Sequence, residues 1–363
     1  MGIPVNDIDY VVVGSSAEEM IALGFQPVGK DFPVFLHPQT HAEYALARTE
    51  RKTGIGYQDF HFYADPSVTL EQDLQRRDLT INAMAQRVDD TGSRVGPIID
   101  PYGGQNDIEA NVFRHVSAAF AEDPLRLLRI ARFAARFPKF NIASETLVAL
   151  NAIVRSGELS TLSPERVWQE LDRGMRSADP LRMIEVLLET GAADQFLPQQ
   201  LIAVCRDLQL KKQLASDLHL LAEKEIVDVD LVCAVLLADI GEDAIRQWSE
   251  TMRMPNITRD FAELFSALKK RVTQHGYSAV DILAWFNRAD VWRKPERAEK
   301  LIALASVLHF HVERISSALA AAQAVDSQAV IESLSVAERQ QGECIRSAID
   351  AARLQAVESV TAT

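Results

Sequence analysis

The sequence predicts an α+β protein, a small α/β head followed by an all-helical remainder, and three observations carry that expectation. Up to about residue 112, short β-rich runs alternate with Gly, Pro and Asn turns. Beyond about residue 117, apolar residues recur every three to four positions. Several of those later segments open on helix-start signals such as Ser163-Pro164-Glu165.

In order along the head, Val11–Gly14, Phe32–Leu36 and Glu43–Ala47 read as strands, and Ser15–Leu23 as a helix opened by a serine cap. After the switch, the predicted helices are Glu122–Phe137, Ser144–Arg155, Pro164–Arg176, Pro180–Thr190, Val229–Leu237, Arg259–Val272, Ala279–Asn287, Pro295–Phe310 and Gln328–Leu354. The expected division is a head over 1–115, a helical neck over 116–195 and a helical body and tail over 196–363.

The 363 residues suit two or three domains, and 47% hydrophobic with 25% charged residues is ordinary for a globular protein. Three scattered cysteines, Cys205, Cys233 and Cys344, suggest neither a disulfide framework nor a thiolate metal site, which fits a reducing cytoplasm. No stretch approaches the apolar length of a membrane span, so no membrane partner is expected. A net charge of −13 argues against holding a polyanion over the whole surface; a local basic patch must do it.

Chemistry concentrates in three places. In "VNDIDYVVVG", Asp7 and Asp9 sit two apart, so on a strand both carboxylates share a face. A D-x-D of itself is usually a pair of acids on a solvated edge. The valines that follow suggest instead a buried strand with acids at its mouth, suited to a hard divalent ion such as Mg²⁺ that keeps places for phosphate oxygens. Glu43, opening "EYALART", is a candidate third acid or a plain exposed strand residue.

In "RRDLTINAMA", Arg76 and Arg77 put cationic forks beside Asp78 and Asn82, which could meet a ribose hydroxyl; Ile81, Ala83 and Met84 suggest a packed helix that fixes them. In "EDPLRLLRIARFAARF", helical spacing gathers Arg126, Arg129, Arg132 and Arg136 into a stripe roughly 120° wide on an otherwise apolar helix. Glu122 and Asp123 there read as helix-capping acids, and four arginines without a lysine favour forked recognition of phosphates or base edges. Between the motifs, Arg48, Arg51 and Lys52 followed by Gly54 and Gly56 read as a mobile basic loop.

The order D-x-D, R-R-D-x-T-I-N-A, E-D-x-x-R-x-x-R resembles the class II tRNA nucleotidyltransferases, the CCA-adding enzymes of bacteria. "DFPVFLHPQTHAEYALARTERKTG", "RRDLTINAMAQ", "IIDPYGG" and "FAEDPLRLLRIARFAARF" carry the likeness in the head and neck. "LSPERVWQEL", "RMPNITRDFAEL" and "DVWRKPERAEKL" extend it to about residue 305.

The resemblance implies a polymerase-beta-like nucleotidyltransferase head, with tRNA, CTP and ATP as partners and Mg²⁺ as cofactor; it leaves the oligomeric state open. It implies Asp7 and Asp9 as catalytic metal ligands for in-line attack of the tRNA 3′-hydroxyl on the α-phosphate. Arg77 would bind the nucleotide, with Asp78 and Asn82 near its sugar. Asp123 and Arg126 would present hydrogen-bonding edges to the incoming base, assisted by Arg129.

Two departures accompany the likeness. Family members begin with a strand and a G-G-x-V-R-D segment just before the position of Gly2, and this chain starts after it, which implies an upstream start or a shortened form. Relatives also carry a helical phosphohydrolase domain with an H…HD pattern. Here His219 stands where the first histidine would be, but Ala238 precedes Asp239, so no metal-dependent phosphohydrolase activity is expected. A poly(A) polymerase of the same superfamily, or a non-catalytic tRNA-binding form, are the alternative readings.

Overall fold

The computed structural model describes residues 8–28, 34–52, 60–89, 91–273 and 278–361. The chain separates into two compact units, Met1–Gly174 with Leu181–Gln195, and Met175–Pro180 with Phe196–Thr363.

In the first unit, β1 (Tyr10–Val12) leads through α1 (Ala17–Ala22) to β2 (Gln26–Val28), β3 (Val34–Leu36) and β4 (Glu43–Leu46). They form one sheet in the order β1-β4-β3-β2, with β1 parallel to β4 and the other pairs antiparallel. The expected serine cap is present: Ser16 and Glu19 close a reciprocal capping box on α1. Met20, Phe35 and Leu46 form the buried core beneath. The expectation of a buried first strand is corrected. Among the described residues β1 pairs only with β4; Tyr10–Val12 are half-buried and the flanking Ile8 and Val13 are exposed.

A second correction concerns the basic segment after β4. Arg48–Lys52 is not a loop but β5, paired antiparallel with β6 (Phe60–Ala64) in register Arg48↔Ala64. Gly54 and Gly56 lie outside the described residues.

Next come α2 (Leu70–Gln75), β7 (Ala85–Val88), β8 (Arg94–Ile99), α3 (Gly104–Ala110) and β9 (Val112–Phe113). "RRDLTINAMA" is therefore not one packed helix. α2 ends at Arg76, a single 3-10 turn covers Thr80–Asn82, and β7 begins at Ala85. Backbone pairing overrides the helical spacing: Leu79 bridges to His115, and the Thr80 N–H donates to the Arg114 carbonyl at 2.9 Å. Of the apolar residues expected to anchor it, Ala83 is fully buried and Ile81 and Met84 are half-buried; Leu79 is the other fully buried anchor.

α4 (Leu125–Arg136), β10 (Asn141–Ile142), α5 (Ser144–Ser156), α6 (Pro164–Met175) and α7 (Pro180–Thr190) follow. α4 is buried around most of its circumference, with Leu127, Ile130, Ala131, Ala134 and Ala135 fully enclosed.

α8 (Ala193–Phe196) closes the first unit, and the second is helical: α9 (Gln199–Arg206), α10 (Leu208–Glu223), α11 (Val229–Leu236), α12 (Glu242–Met252), α13 (Asn256–Thr273), α14 (Ala279–Ala289), α15 (Pro295–Val307) and α16 (Glu313–Gln323). The expected single helix over Gln328–Leu354 is three: α17 (Ser327–Ser333), α18 (Val336–Arg339) and α19 (Gly342–Thr361). Ser335 and Glu338 form a capping box that restarts the helix, a signal readable in "SVAE" but overridden in the sequence reading by alanine-rich periodicity.

Candidate active site

The first unit gathers its polar residues where α2, the 3-10 turn, β5 and the start of α4 converge. Asp78 is 7% exposed. Its Oδ1 accepts from the Leu79 N–H at 2.9 Å and from Asn82 Nδ2 at 3.0 Å, and its Oδ2 accepts from Arg129 Nε at 2.8 Å. Burial alone would raise the Asp78 pKa; the Arg129 charge and these hydrogen bonds outweigh it and hold the carboxyl below the usual carboxylate range. The same pairing raises the Arg129 pKa against the opposing effect of its own burial. Asp78, Asn82 and Arg129, separate in sequence, are thus one unit in space.

A second acid holds the arginine pair. Asp73 is 1% exposed; its Oδ1 accepts from Arg76 Nε at 3.0 Å, Arg76 Nη2 at 2.8 Å and the Arg48 N–H at 3.2 Å. Its Oδ2 accepts from Arg77 Nη2 at 3.4 Å. Arg76 Nη1 also donates to Glu50 Oε1 at 2.8 Å, which ties β5 to the end of α2. Arg77 differs from its neighbour: its Nε is buried without a hydrogen-bond partner among the described residues, while its side chain is 30% exposed.

The expected arginine stripe on α4 is corrected in character. Arg126 is 7% exposed and turns inward, donating from Nη1 to the Ala119 carbonyl at 3.1 Å and from Nη2 to the Arg76 carbonyl at 2.6 Å. Arg129 is on Asp78, Arg132 donates to Glu170 at 2.5 Å, and Arg136 alone of the four is exposed. Helical spacing gives the side on which a residue lies; it does not give the carboxylates brought there by other segments. Asp123 caps α4 as expected, its Oδ1 accepting from the Leu125 N–H at 3.0 Å.

Two cavities border this constellation. One, of about 370 Å³, is lined by Arg48, Glu50, Arg76, Arg77, Asp78, Asp123, Arg126, Arg129 and Arg166, with Phe62 and Leu125 as its apolar members. The other, of about 810 Å³, has an apolar wall including Tyr10–Val13, Leu74, Met84 and Ile98, and carries Asp9, Arg77 and Asn82. Arg77 and only Arg77 lines both.

Asp9 is exposed just ahead of β1. Glu43, also exposed, opens β4, and Tyr10 pairs in register with Tyr44, so the two acids stand at the same end of adjacent parallel strands. Tyr10 and Tyr44 stack at 4.4 Å, and alternation turns Asp9 and Glu43 toward the other face. Asp7 lies outside the described residues.

Glu50 and Asp73 escaped the sequence reading. Asp73 is three and four residues ahead of Arg76 and Arg77 on a helix, and Glu50 is two from Arg48 on a strand, so both spacings carried a legible signal.

In the second unit, His219 has a 73% exposed side chain and meets Glu223 at 3.2 Å. Asp239 is paired with Lys269 Nζ at 2.8 Å. Among the described residues, no group of three or more His, Cys, Asp or Glu is placed to hold a metal ion, and no helix is long and apolar enough to cross a membrane.

Residues 1–114 match the family of poly A polymerase head domains, and 139–202 match a family described as the probable RNA and SrmB-binding site of polymerase A. The multifunctional CCA protein of Burkholderia pseudomallei (strain 668) is 43% identical over 397 residues, covering 98% of this chain and 95% of that protein. That of Burkholderia multivorans (strain ATCC 17616 / 249) matches at the same identity and coverage. Among solved structures, the Bacillus stearothermophilus CCA-adding enzyme in complex with CTP aligns with a TM-score of 0.64 at 23% identity, covering 99% of this chain and 85% of that one. The Thermotoga maritima CCA-adding enzyme complexed with tRNA aligns with a TM-score of 0.60 at 20% identity, covering 99% and 87%. At such identities the structural likeness speaks for the fold.

Proposed function

The chain belongs to the family of bacterial CCA-adding enzymes, and from that premise we propose that it adds CMP and AMP, from CTP and ATP, to the 3′ end of tRNA without a nucleic-acid template, in the cytoplasm. The observation that carries this reading is the place of Arg77. One guanidinium with an unmet donor lines both the cavity of Asp9 and the cavity of Asp123 and Arg126. A nucleoside triphosphate has that shape: phosphates at one end, a base at the other, an arginine between.

Family members generally use a divalent metal, and we take Mg²⁺ as the ion. Asp9, an exposed hard oxygen donor at the mouth of β1, fits it, and Asp7 would be its companion ligand. Bound there, the ion supplies charge neutralisation for the triphosphate and activation of the tRNA 3′-hydroxyl.

Arg77, its side chain 30% exposed on the wall of both cavities, offers its guanidinium to a phosphate or sugar oxygen. Asp78, kept ionised by Arg129, holds Asn82 toward the Asp9 cavity, where its amide can meet the ribose. Cytosine and adenine share an amino donor beside a ring-nitrogen acceptor; uracil and guanine present the reverse. Asp123, with one carboxylate oxygen left over by its cap, accepts from that amino group. Arg126, with two of its five N–H groups committed to carbonyls, donates to the ring nitrogen. In this division residues 1–115 carry catalysis, 116–195 bind the nucleotide base and tRNA, and 196–363 form the helical body and tail with a degenerate phosphohydrolase-like region.

The test is incorporation into tRNA trimmed before its CCA end, with each nucleoside triphosphate offered singly and together. The expected result is CMP addition with CTP alone, full CCA with CTP plus ATP, no use of UTP or GTP, and loss of about 10³-fold or more in Asp9→Ala. AMP runs with ATP alone and no use of CTP would assign a poly(A) polymerase instead.

A further inference from the structure

Arg76 and Arg77 are adjacent in sequence and unequal in space, and the residue that makes them unequal is Asp73. On α2 it lies three and four residues before them, close enough for one carboxylate to meet both forks. At 1% exposure its carboxyl is shut off from water, and these partners satisfy its oxygens.

The two oxygens divide the work. Oδ1 is filled by Arg76 through Nε and Nη2 and by the Arg48 N–H, and Arg76 spends Nη1 on Glu50. Oδ2 takes Arg77 by Nη2 alone, at 3.4 Å, leaving the Nε of that guanidinium buried and unpaired. Asp73 is the one acid that pairs with Arg77 among the described residues. Arg76 is thus a strut between β5 and α2, whereas Arg77 is a cation anchored at one corner, its side chain 30% exposed on the wall of both cavities.

We propose that Asp73 is a positioning residue for nucleotide binding: by holding Arg77 through Nη2 it fixes the side chain on the wall shared by the two cavities, where its guanidinium meets the triphosphate. This rests on the reading of Arg77 as a nucleotide ligand. Removing the Asp73 charge leaves Arg76 on Glu50 but deprives Arg77 of its anchor, so the nucleotide must order the side chain itself.

The test is a double-mutant cycle on CTP affinity in equilibrium binding, with Asp73→Asn, Arg77→Ala and the pair, and thermal unfolding of each protein in parallel. Asp73→Asn is expected to weaken CTP binding about tenfold in the wild-type background, the loss of one charge-assisted hydrogen bond's worth of ordering. In the Arg77→Ala background it is expected to change affinity less than twofold, while its effect on unfolding persists in both. Should Asp73→Asn fail to fold, Asp73→Glu keeps the charge on a longer arm that displaces the anchor, and the same cycle is run with it. Equal weakening in both backgrounds, or none in the wild type, overturns the proposal. Wild-type protein that binds no CTP overturns the parent reading instead.

Discussion

Both units bury carboxylates against arginines, and the two lattices differ in what they leave over. In the second unit, Glu263 takes Arg246 through both oxygens, at 3.2 and 3.3 Å, and also Arg288 at 2.7 Å, while Arg288 reaches on to Glu242. Arg246 and Arg288 are half-open to water, with side chains 51% and 37% exposed, so the network ends at the surface. In the first unit the network of Asp73, Asp78 and Glu50 ends on a cavity wall, with Arg77 Nε unmet. The second unit has unmet buried Nε atoms too, at Arg271 and Arg353, but Arg353 lies 3.5 Å over the Trp292 ring and Arg271 turns back on the Ala267 carbonyl of its own helix. A buried acid–arginine lattice is therefore no sign of function by itself. A partly exposed arginine on the wall of a cavity, beside a candidate catalytic carboxylate, is the stronger sign.

Four substitutions break or sharpen that contrast. The largest effect is expected from Asp78→Asn, which leaves Arg129 without its counter-charge and should cost about 3 kcal/mol of stability. Its pH dependence has a definite sign. The Asp78 pKa is lowered in the folded protein, so its stabilisation is full above the unfolded carboxylate pKa near 4 and is lost as pH falls through the folded value. Denaturation curves of wild type and variant should be separated at pH 7 and converge below about pH 4.

Gly104→Ala comes next. A Cβ there would lie 2.3 Å from the Thr80 carbonyl oxygen, in the turn that carries Asp78 and Asn82, so overpacking of about 2 kcal/mol is expected together with weakened CTP binding. Loss of stability with unchanged affinity would show that the turn tolerates movement.

Glu263→Gln should cost about 1 kcal/mol, because the arginines it frees reach water, and should leave CTP affinity untouched. The smallest effect belongs to His219→Ala, within about 0.5 kcal/mol, with the melting temperature of wild type and variant alike insensitive to Ni²⁺ or Mn²⁺. A metal-dependent rise in wild type alone would reinstate that histidine as a ligand.

The sequence disclosed what local chemistry controls. Serine caps, the β-to-helix switch and the fold class were legible because period and capping are properties of neighbours in the chain. The inward turn of Arg126 was not, since its partners are carbonyls seven and fifty positions away. Nor was the break after Arg77, which depends on pairing with the strand-like segment at Arg114 and His115. The role of Asp73 lay between: its spacing was visible, but its burial, which turns an ordinary helix acid into an anchor, was not.

The account stands most directly on CTP affinity measured by equilibrium binding in Arg77→Ala, with Arg246→Ala from the second unit as its partner. The expected result is a loss of affinity of tenfold or more in Arg77→Ala, and unaltered affinity with lowered melting in Arg246→Ala. Undiminished CTP binding by Arg77→Ala would contradict it.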